Sequence, residues 1–218
     1  MGTTALLQVH PGNPQPRVVR EAAGVLRDGG VVAYPTDSSY ALGCLVDDVD
    51  AVRRIRAIRD IDPRHHLTLV CRDLVHVGRY ARMDNAQYRL VRLGTPGPYT
   101  FLLRASREVP RRIQHPRRST IGVRVPGHRV VHALLTELDQ PLLSTTLILP
   151  GATVPLDDPT AILAALRGRI EAVIDAGPCP AEPTTVIDLE QSAPQVVRRG
   201  GGDLARLGLA EADGRITA

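Results

Sequence analysis

The stretch Tyr34-Pro35-Thr36-Asp37-Ser38-Ser39-Tyr40-Ala41-Leu42-Gly43-Cys44 sets hydroxyls and a carboxylate into a tight loop directly behind the apolar run Val31 to Tyr34. Such a loop at the carboxyl end of a strand is where open α/β sheets bind ligands. The same side chains also make capped turns, because Thr, Asp and Ser bond nearby backbone groups. From this stretch alone both readings stand. The anion-binding side chains are all arginine, since the 27 basic residues include no lysine. Arginine grips phosphate or carboxylate through a planar fork. Lysine chemistry, whether a Schiff base or an ammonium phosphate clamp, is excluded.

A second constellation is the basic stretch Arg104, Arg107, Arg111, Arg112, Arg117 and Arg118, with His115 inside it. It reads either as a phosphate track for structured RNA or as a solvated loop. One phenylalanine, five tyrosines and no tryptophan leave little to stack on single-stranded bases. His128 and His132 are spaced i, i+4 at a helix start, and without a third ligand they read as surface or capping histidines. His65 and His66 read as an exposed loop able to sense an anion. Cys44, Cys71 and Cys179 form no CxxC pair, so no zinc site is expected and buried thiols are the simpler reading. No P-loop, GxGxxG or HExxH occurs. No apolar run reaches the length of a membrane span, and the start lacks a signal peptide, so a cytoplasmic location is expected.

Hydrophobic periodicity supplies the elements that must position these groups. Helices are predicted from Arg17 to Asp28, stopped at Gly29-Gly30, and from Val49 to Asp60, capped by Asp48. The apolar stripe of the second is read as Val49, Val52, Ile55 and Ile58. Further helices follow from Asp84 to Leu93 with Gly94 just past the end, from Val130 to Leu138, and from Pro159 to Leu166 behind Asp157-Asp158. Strands are predicted at Val31–Tyr34, Leu67–Cys71, Tyr99–Arg104, Thr120–Val125, Leu142–Leu147, Ala172–Asp175, Thr184–Leu189 and Val196–Arg198. Strands and helices interleave early and strands dominate late, which gives an α/β fold on a mixed sheet. The domain is expected to run over residues 10–202, with residues 203–218 as a tail.

The loop at Tyr34 to Cys44 resembles the PTDTxYGLGC signature of the Sua5/YrdC/YciO family. Thr95-Pro96-Gly97-Pro98-Tyr99-Thr100 is similar to that family's PGPxT segment, and Ser119 to Pro126 to its T-x-x-x-R-x-P strand. Pro183 to Asp188 resembles its STVVD segment, and Val197-Arg198-Arg199-Gly200 its closing LRxG. The segments occur in the family's order. The resemblance implies a twisted mixed sheet with helices around a concave basic cavity. It implies an L-threonylcarbamoyladenylate synthase-like activity on ATP, L-threonine and bicarbonate, with Mg2+ accompanying the ATP, for tRNA t6A modification. It implies Ser38, Arg124, Ser144 and Thr184 on the threonine side, and Arg59, Thr120, Thr146 and Arg198 on the nucleotide side. The family-consistent RNA partner, tRNA or double-stranded RNA, would meet Arg111, Arg112, Arg117 and Arg118. No protein-bound metal site is implied.

The chain departs from the family pattern at the phosphate clamp. Where family enzymes carry K-x-R, this chain has Arg59 and Ile61, with Arg64 nearby. Their S-x-N keeps a hydroxyl at Thr146 but has Ile148 in place of the asparagine, and the histidine of their LIVHI strand becomes Val70. Loss of one charged hydrogen bond weakens binding by roughly 1 to 3 kcal/mol. The runs Leu67 to Leu74 and Leu143 to Gly151 resemble the YciO branch in particular. Two alternatives therefore stand beside the synthase: an RNA binder without turnover, and a threonylcarbamoyl hydrolase using Asp37 or the His65-His66 loop as base.

Overall fold

The computed structural model describes residues 3–62, 65, 67–191 and 193–209. The helices are α1 (Pro16–Arg27), α2 (Val49–Arg59), α3 (Leu74–Tyr80), α4 (Asn85–Gly94), α5 (Arg129–Leu138) and α6 (Pro159–Leu166). Their starts are written in local chemistry. Asp48, Asp73 and Asp158 each accept a hydrogen bond from a first-turn backbone N–H, and Asp84 forms a full capping box with Gln87. Helix α1 opens with proline and ends before Gly29, whose φ of 83° is left-handed backbone that glycine adopts at no steric cost.

The strands are β1 (Ala5–Gln8), β2 (Val32–Tyr34), β3 (Ala41–Leu45), β4 (Thr68–Val70), β5 (Ala81–Arg82), β6 (Tyr99–Ala105), β7 (Thr120–Arg124), β8 (Leu142–Thr146), β9 (Ala172–Asp175), β10 (Thr185–Asp188) and β11 (Gln195–Arg198). They build one sheet in the order β1-β9-β2-β3-β8-β4-β7-β6-β10-β11, with β5 paired to β6. Pairs β1/β9, β2/β9, β4/β7 and β6/β10 are parallel and the others antiparallel, so the sheet is mixed. The α/β class and the twisted mixed sheet agree with the sequence reading.

The two faces of the sheet are filled unequally. One face buries Leu42, Leu69, Phe101, Val123 and Leu143 under residues of α2, α3, α4 and α6. On the other, α1 and α5 cover the part of the sheet from β9 to β4, packing Leu26, Leu134 and Leu135 with Val32, Tyr34, Val70 and Leu142. Beyond α5 the same face continues through β7, β6 and β10, and among the described residues no helix packs over it. That uncovered half positions the site.

Several local expectations change. Val49 is 47% exposed, and Ala51 takes its place on the buried stripe of α2 with Val52, Ile55 and Ile58. Gly94 is the last residue of α4 rather than a stop beyond it, and a Cβ there would come 2.8 Å from Phe101. The second half of the hydroxyl-rich loop, Ala41–Leu45, is strand β3. Strand β1 and helix α3 are additions. Residues Ala205–Leu207 form a 3-10 turn, and Leu207 is buried against the core.

Candidate functional site

Thr36 organises the turn between β2 and β3. Its hydroxyl donates to the Ser39 carbonyl at 2.7 Å and accepts from the backbone N–H of Ser38 at 3.1 Å and of Ser39 at 3.2 Å. The capped-turn reading therefore holds for Thr36, and the turn leaves Asp37 pointing toward β7. One Asp37 carboxylate oxygen accepts from Arg124, and the other accepts from the backbone N–H of Gly127 at 2.9 Å. Arg124 also donates to the Thr36 hydroxyl at 3.3 Å. Its side chain is 8% exposed, yet its Nε is buried without a hydrogen-bond partner. A buried guanidinium N–H without an acceptor is costly unless a ligand supplies one.

Arg124 borders a cavity of about 360 Å³ on the uncovered half of the sheet. Ser39, Thr68, Thr100, Ser144, Thr146 and Thr184 bring hydroxyls to it, and Ala41, Val70, Leu102, Val186 and Val197 give it an aliphatic side. Gly122 keeps the floor low: a Cβ there would lie 3.0 Å from Thr68 Oγ1 and 3.4 Å from Thr100 Cγ2. Ser144 is held rigidly. It accepts from the Tyr34 hydroxyl at 2.6 Å and donates to the Leu42 carbonyl at 3.0 Å. Burial pushes the Tyr34 phenol up to about 12, against the lowering effect of the Ser144 bond.

At the opposite rim Arg198, on β11, donates through Nε to the Thr184 carbonyl and through a terminal nitrogen to Thr184 Oγ1, both at 3.0 Å. Thr184 Oγ1 lies 2.9 Å from Thr100 Oγ1. Partial desolvation, and then the charge of Arg124, lowers the Arg198 pKa below the usual arginine range. His65 lies exposed at the cavity mouth. Partial desolvation, followed by the charges of Arg59, Arg56 and Arg198, holds its pKa below the ordinary histidine value. No carboxylate lines the cavity among the described residues. The result is a pocket with net positive potential, hydroxyl donors and one aliphatic wall.

The structure brings Arg124, Ser144, Thr146, Thr184 and Arg198 to this cavity. Ser38 is buried just behind it, its hydroxyl 3.2 Å from that of Thr36. Thr120 is buried at the start of β7 beside Arg104, and Arg59 ends α2 with its Nε buried and unpartnered; neither lines the cavity. Arg64 and His66 lie outside the described residues. Asp37 is committed to Arg124 and Gly127. Tyr34, Thr68, Thr100 and Gly122 belong to the site without having been singled out for it. Their signal is strand alternation, which only the sheet order turns into a shared surface.

The basic stretch divides. Arg112 donates to the Val46 carbonyl at 3.1 Å, and Arg118 pairs with Asp188 at 3.0 Å. Arg117 is exposed, its backbone N–H turned to His115 Nδ1 at 3.3 Å. Arg111 and Arg118 share an open groove with Arg82, Arg104 and Arg107. Among the described residues no group of three or more His, Cys, Asp or Glu could hold a metal ion, and no helix is long and apolar enough to cross a membrane.

The Sua5/YciO/YrdC family model, described as telomere recombination, matches residues 24–200. The chain belongs to this family. It is 46% identical over 196 residues to YciO of Escherichia coli K12, covering 90% of this chain and 95% of that protein. It is 34% identical over 165 residues to a threonylcarbamoyl-AMP synthase of Halorhodospira halophila, covering 75% and 85%. The crystal structure of E. coli YciO superposes with a TM-score of 0.91 at 44% identity, over 94% of this chain and 99% of that one. P. abyssi Sua5, solved in complex with L-threonine, superposes with a TM-score of 0.84 at 28% identity, over 91% of this chain and 58% of that one. The fold and the YciO-like character expected from the motifs are thus those of the chain's relatives.

Proposed function

We propose that the cavity binds L-threonine together with an adenine nucleotide, as a threonylcarbamoyladenylate synthase-like site. One observation carries this reading: Arg124 is buried, pinned by Asp37, holds an Nε without a hydrogen-bond partner, and lines a hydroxyl-bearing cavity. An α-carboxylate suits the part of the Arg124 guanidinium that lines the cavity, and the threonine hydroxyl and amine suit the hydroxyls around it. Arg198, fixed by Thr184, suits the nucleotide phosphate. In the synthase reaction the threonine amine attacks bicarbonate and water leaves, giving a carbamate. The new carboxylate then attacks the α-phosphorus of ATP, and pyrophosphate leaves. The protein's part is to hold several anions together in low dielectric. Magnesium would arrive with the nucleotide as part of the substrate, because the lining offers it no carboxylate among the described residues.

The test is incubation with ATP, magnesium, L-threonine and bicarbonate, with mass spectrometry for threonylcarbamoyl-AMP and a pyrophosphate assay. Product that requires every substrate and Arg124 supports the reading. Its absence beside an active synthase control refutes turnover.

A second reading, a tRNA or double-stranded RNA binder, draws on the open groove. Arg82, Arg104, Arg107 and Arg111 have no side-chain hydrogen bond or ion pair among the described residues. A salt-sensitive gel shift with structured RNA, weakened by reversing Arg107 and Arg111, would support it, and no binding at low salt would remove it. Hydrolysis with Asp37 as base is disfavoured, because both its oxygens are already committed.

A further inference from the structure

We propose that Thr185 is a positioning residue of the cavity: its buried hydroxyl locks the turn that follows Arg198 and so sets where that guanidinium stands. The proposal rests on the reading of Arg198 as an anion-holding side chain of the cavity.

Strand β11 needs such a lock. It lies at the end of the sheet order, pairs among the described residues with β10 alone, and its register on β10 shifts between Val186 and Ile187. An interrupted ladder at a sheet edge holds its strand less firmly than a continuous one. Arg198 is the last residue of β11 and pairs with Val186 at this break. The two bonds from its guanidinium to Thr184 tie the head of the side chain to β10. The backbone beneath it has to be fixed from elsewhere.

Thr185 supplies that fixing. Successive residues of an extended chain face opposite sides. Thr184 lines the cavity, whereas Thr185 does not line it and is fully buried. Thr185 Oγ1 donates to the Gly202 carbonyl at 2.7 Å and accepts from the backbone N–H groups of Gly200 and Gly202, each at 3.0 Å. That uses the one donor and both acceptor sites of a hydroxyl. The Thr185 backbone is itself anchored, because its N–H donates to the Pro98 carbonyl at 3.0 Å. One hydroxyl therefore joins a fixed residue of β10 to the residues two and four beyond Arg198.

The surrounding chain is shaped for the same contact. A Cβ on Gly200 would collide with the Pro183 carbonyl and lie 2.7 Å from that of Thr184, so only glycine lets the turn come this close. The Gly201 N–H donates to the Pro183 carbonyl at 3.0 Å. The Tyr99 hydroxyl donates to the Asp203 carbonyl at 2.9 Å and continues the lock past the turn. Arg198 thus reaches the cavity from a backbone that is already set. A side chain ordered in advance loses less freedom when an anion arrives, and without the lock that cost falls on binding.

The experiment uses Thr185→Val, which keeps the shape of the side chain and removes the hydroxyl. Asp158→Ala strips the cap from α6, which packs on the opposite face of the sheet, and serves as a control for lost stability away from the cavity. Two quantities are read on the full chain: proton exchange of the Arg198 Nε–H by NMR, its signal assigned by its loss in Arg198→Ala, and magnesium-ATP affinity by calorimetry. Thr185→Val should exchange that proton at least about tenfold faster and bind magnesium-ATP about tenfold more weakly. Thr185→Ser should restore both, and Asp158→Ala should leave both as they are. Thr185→Val/Arg198→Ala should bind no more weakly than Arg198→Ala alone, because Thr185 acts through Arg198. Unchanged Nε–H exchange in folded Thr185→Val overturns the proposal. So does an equal effect of Asp158→Ala, or a weakening by Thr185→Val that persists in full on top of Arg198→Ala. Should Thr185→Val not fold, Tyr99→Phe removes the Asp203 bond from the same lock and should speed the Nε–H exchange, and an unchanged rate there overturns the proposal. If magnesium-ATP does not bind the unaltered protein, the nucleotide reading fails, and the exchange measurement still decides for or against the lock.

Discussion

Asp37→Asn removes the charge that faces Arg124 while keeping side-chain volume and an oxygen for the Gly127 N–H. The side chains of Arg124 and Asp37 are 8% and 17% exposed, so the pair is largely out of water. Removing one partner of a buried pair costs about 3 to 5 kcal/mol, because the other charge stays behind unpaired. The Thr36 hydroxyl still bonds Arg124 and Asp37 keeps some water, which places the loss near the low end, about 3 kcal/mol. For a chain of this size each kcal/mol shifts the melting temperature by about 2 to 4 °C, so the drop should be about 6 to 12 °C. Thermal unfolding followed by circular dichroism reads it directly. The double variant Asp37→Leu/Arg124→Met, which removes both charges, should lose less than Asp37→Asn alone. L-Threonine should also stabilise Asp37→Asn more than the unaltered protein, since its carboxylate replaces the missing one. An Asp37→Asn melting temperature within about 1 °C of the unaltered protein would refute the buried-pair argument.

Further outcomes follow from the same geometry. Gly122→Ala should fold, with a stability loss of about 1 kcal/mol, while cavity binding falls at least about tenfold because the new methyl fills the floor; calorimetry checks both. Tyr34→Phe removes the donor to Ser144 but leaves the Ser144 bond to Leu42, so it should cost about 1 kcal/mol in urea unfolding. His65 has a depressed folded pKa, so its contribution to stability is full above the ordinary histidine value and is lost as pH falls through the folded value. An anion that offsets Arg198 raises that pKa, so binding takes up a proton. Affinity for sulfate, whose charge is fixed over this range, should rise as pH falls from 8 toward 6, and His65→Ala should flatten the rise; Arg56, Arg59 and Arg198 are the charges facing the ring.

The helices and most strands were legible because their signals are local. Asp48, Asp84 and Asp158 cap the helices they precede, and Pro159 opens α6 as its fixed φ predicts. Strand β3 was hidden because Gly43 reads as loop. Gly43 pairs with Val32 in the sheet and is glycine because a Cβ there would lie 2.7 Å from Tyr34 Cε1. Helix α3 was too short for periodicity to declare, and Val49 was misplaced because its Cβ direction depends on how α2 docks. The site divides the same way. Arg124, Thr184 and Arg198 carry motifs, whereas the hold of Asp37 on Arg124 and of Tyr34 on Ser144 joins residues 87 and 110 positions apart. Only the sheet order brings these together. Sheet pairing likewise sets Arg82 beside Arg104 and adds to the basic groove the one arginine that the linear stretch lacked.

The most direct test of the account is a calorimetric titration of L-threonine into the unaltered protein, Arg124→Met and Arg198→Ala, with melting temperatures taken alongside. The account predicts one site per chain, lost in folded Arg124→Met and kept in Arg198→Ala. Threonine binding that is unchanged in folded Arg124→Met would contradict it, and the cavity would then have to be read without its central arginine.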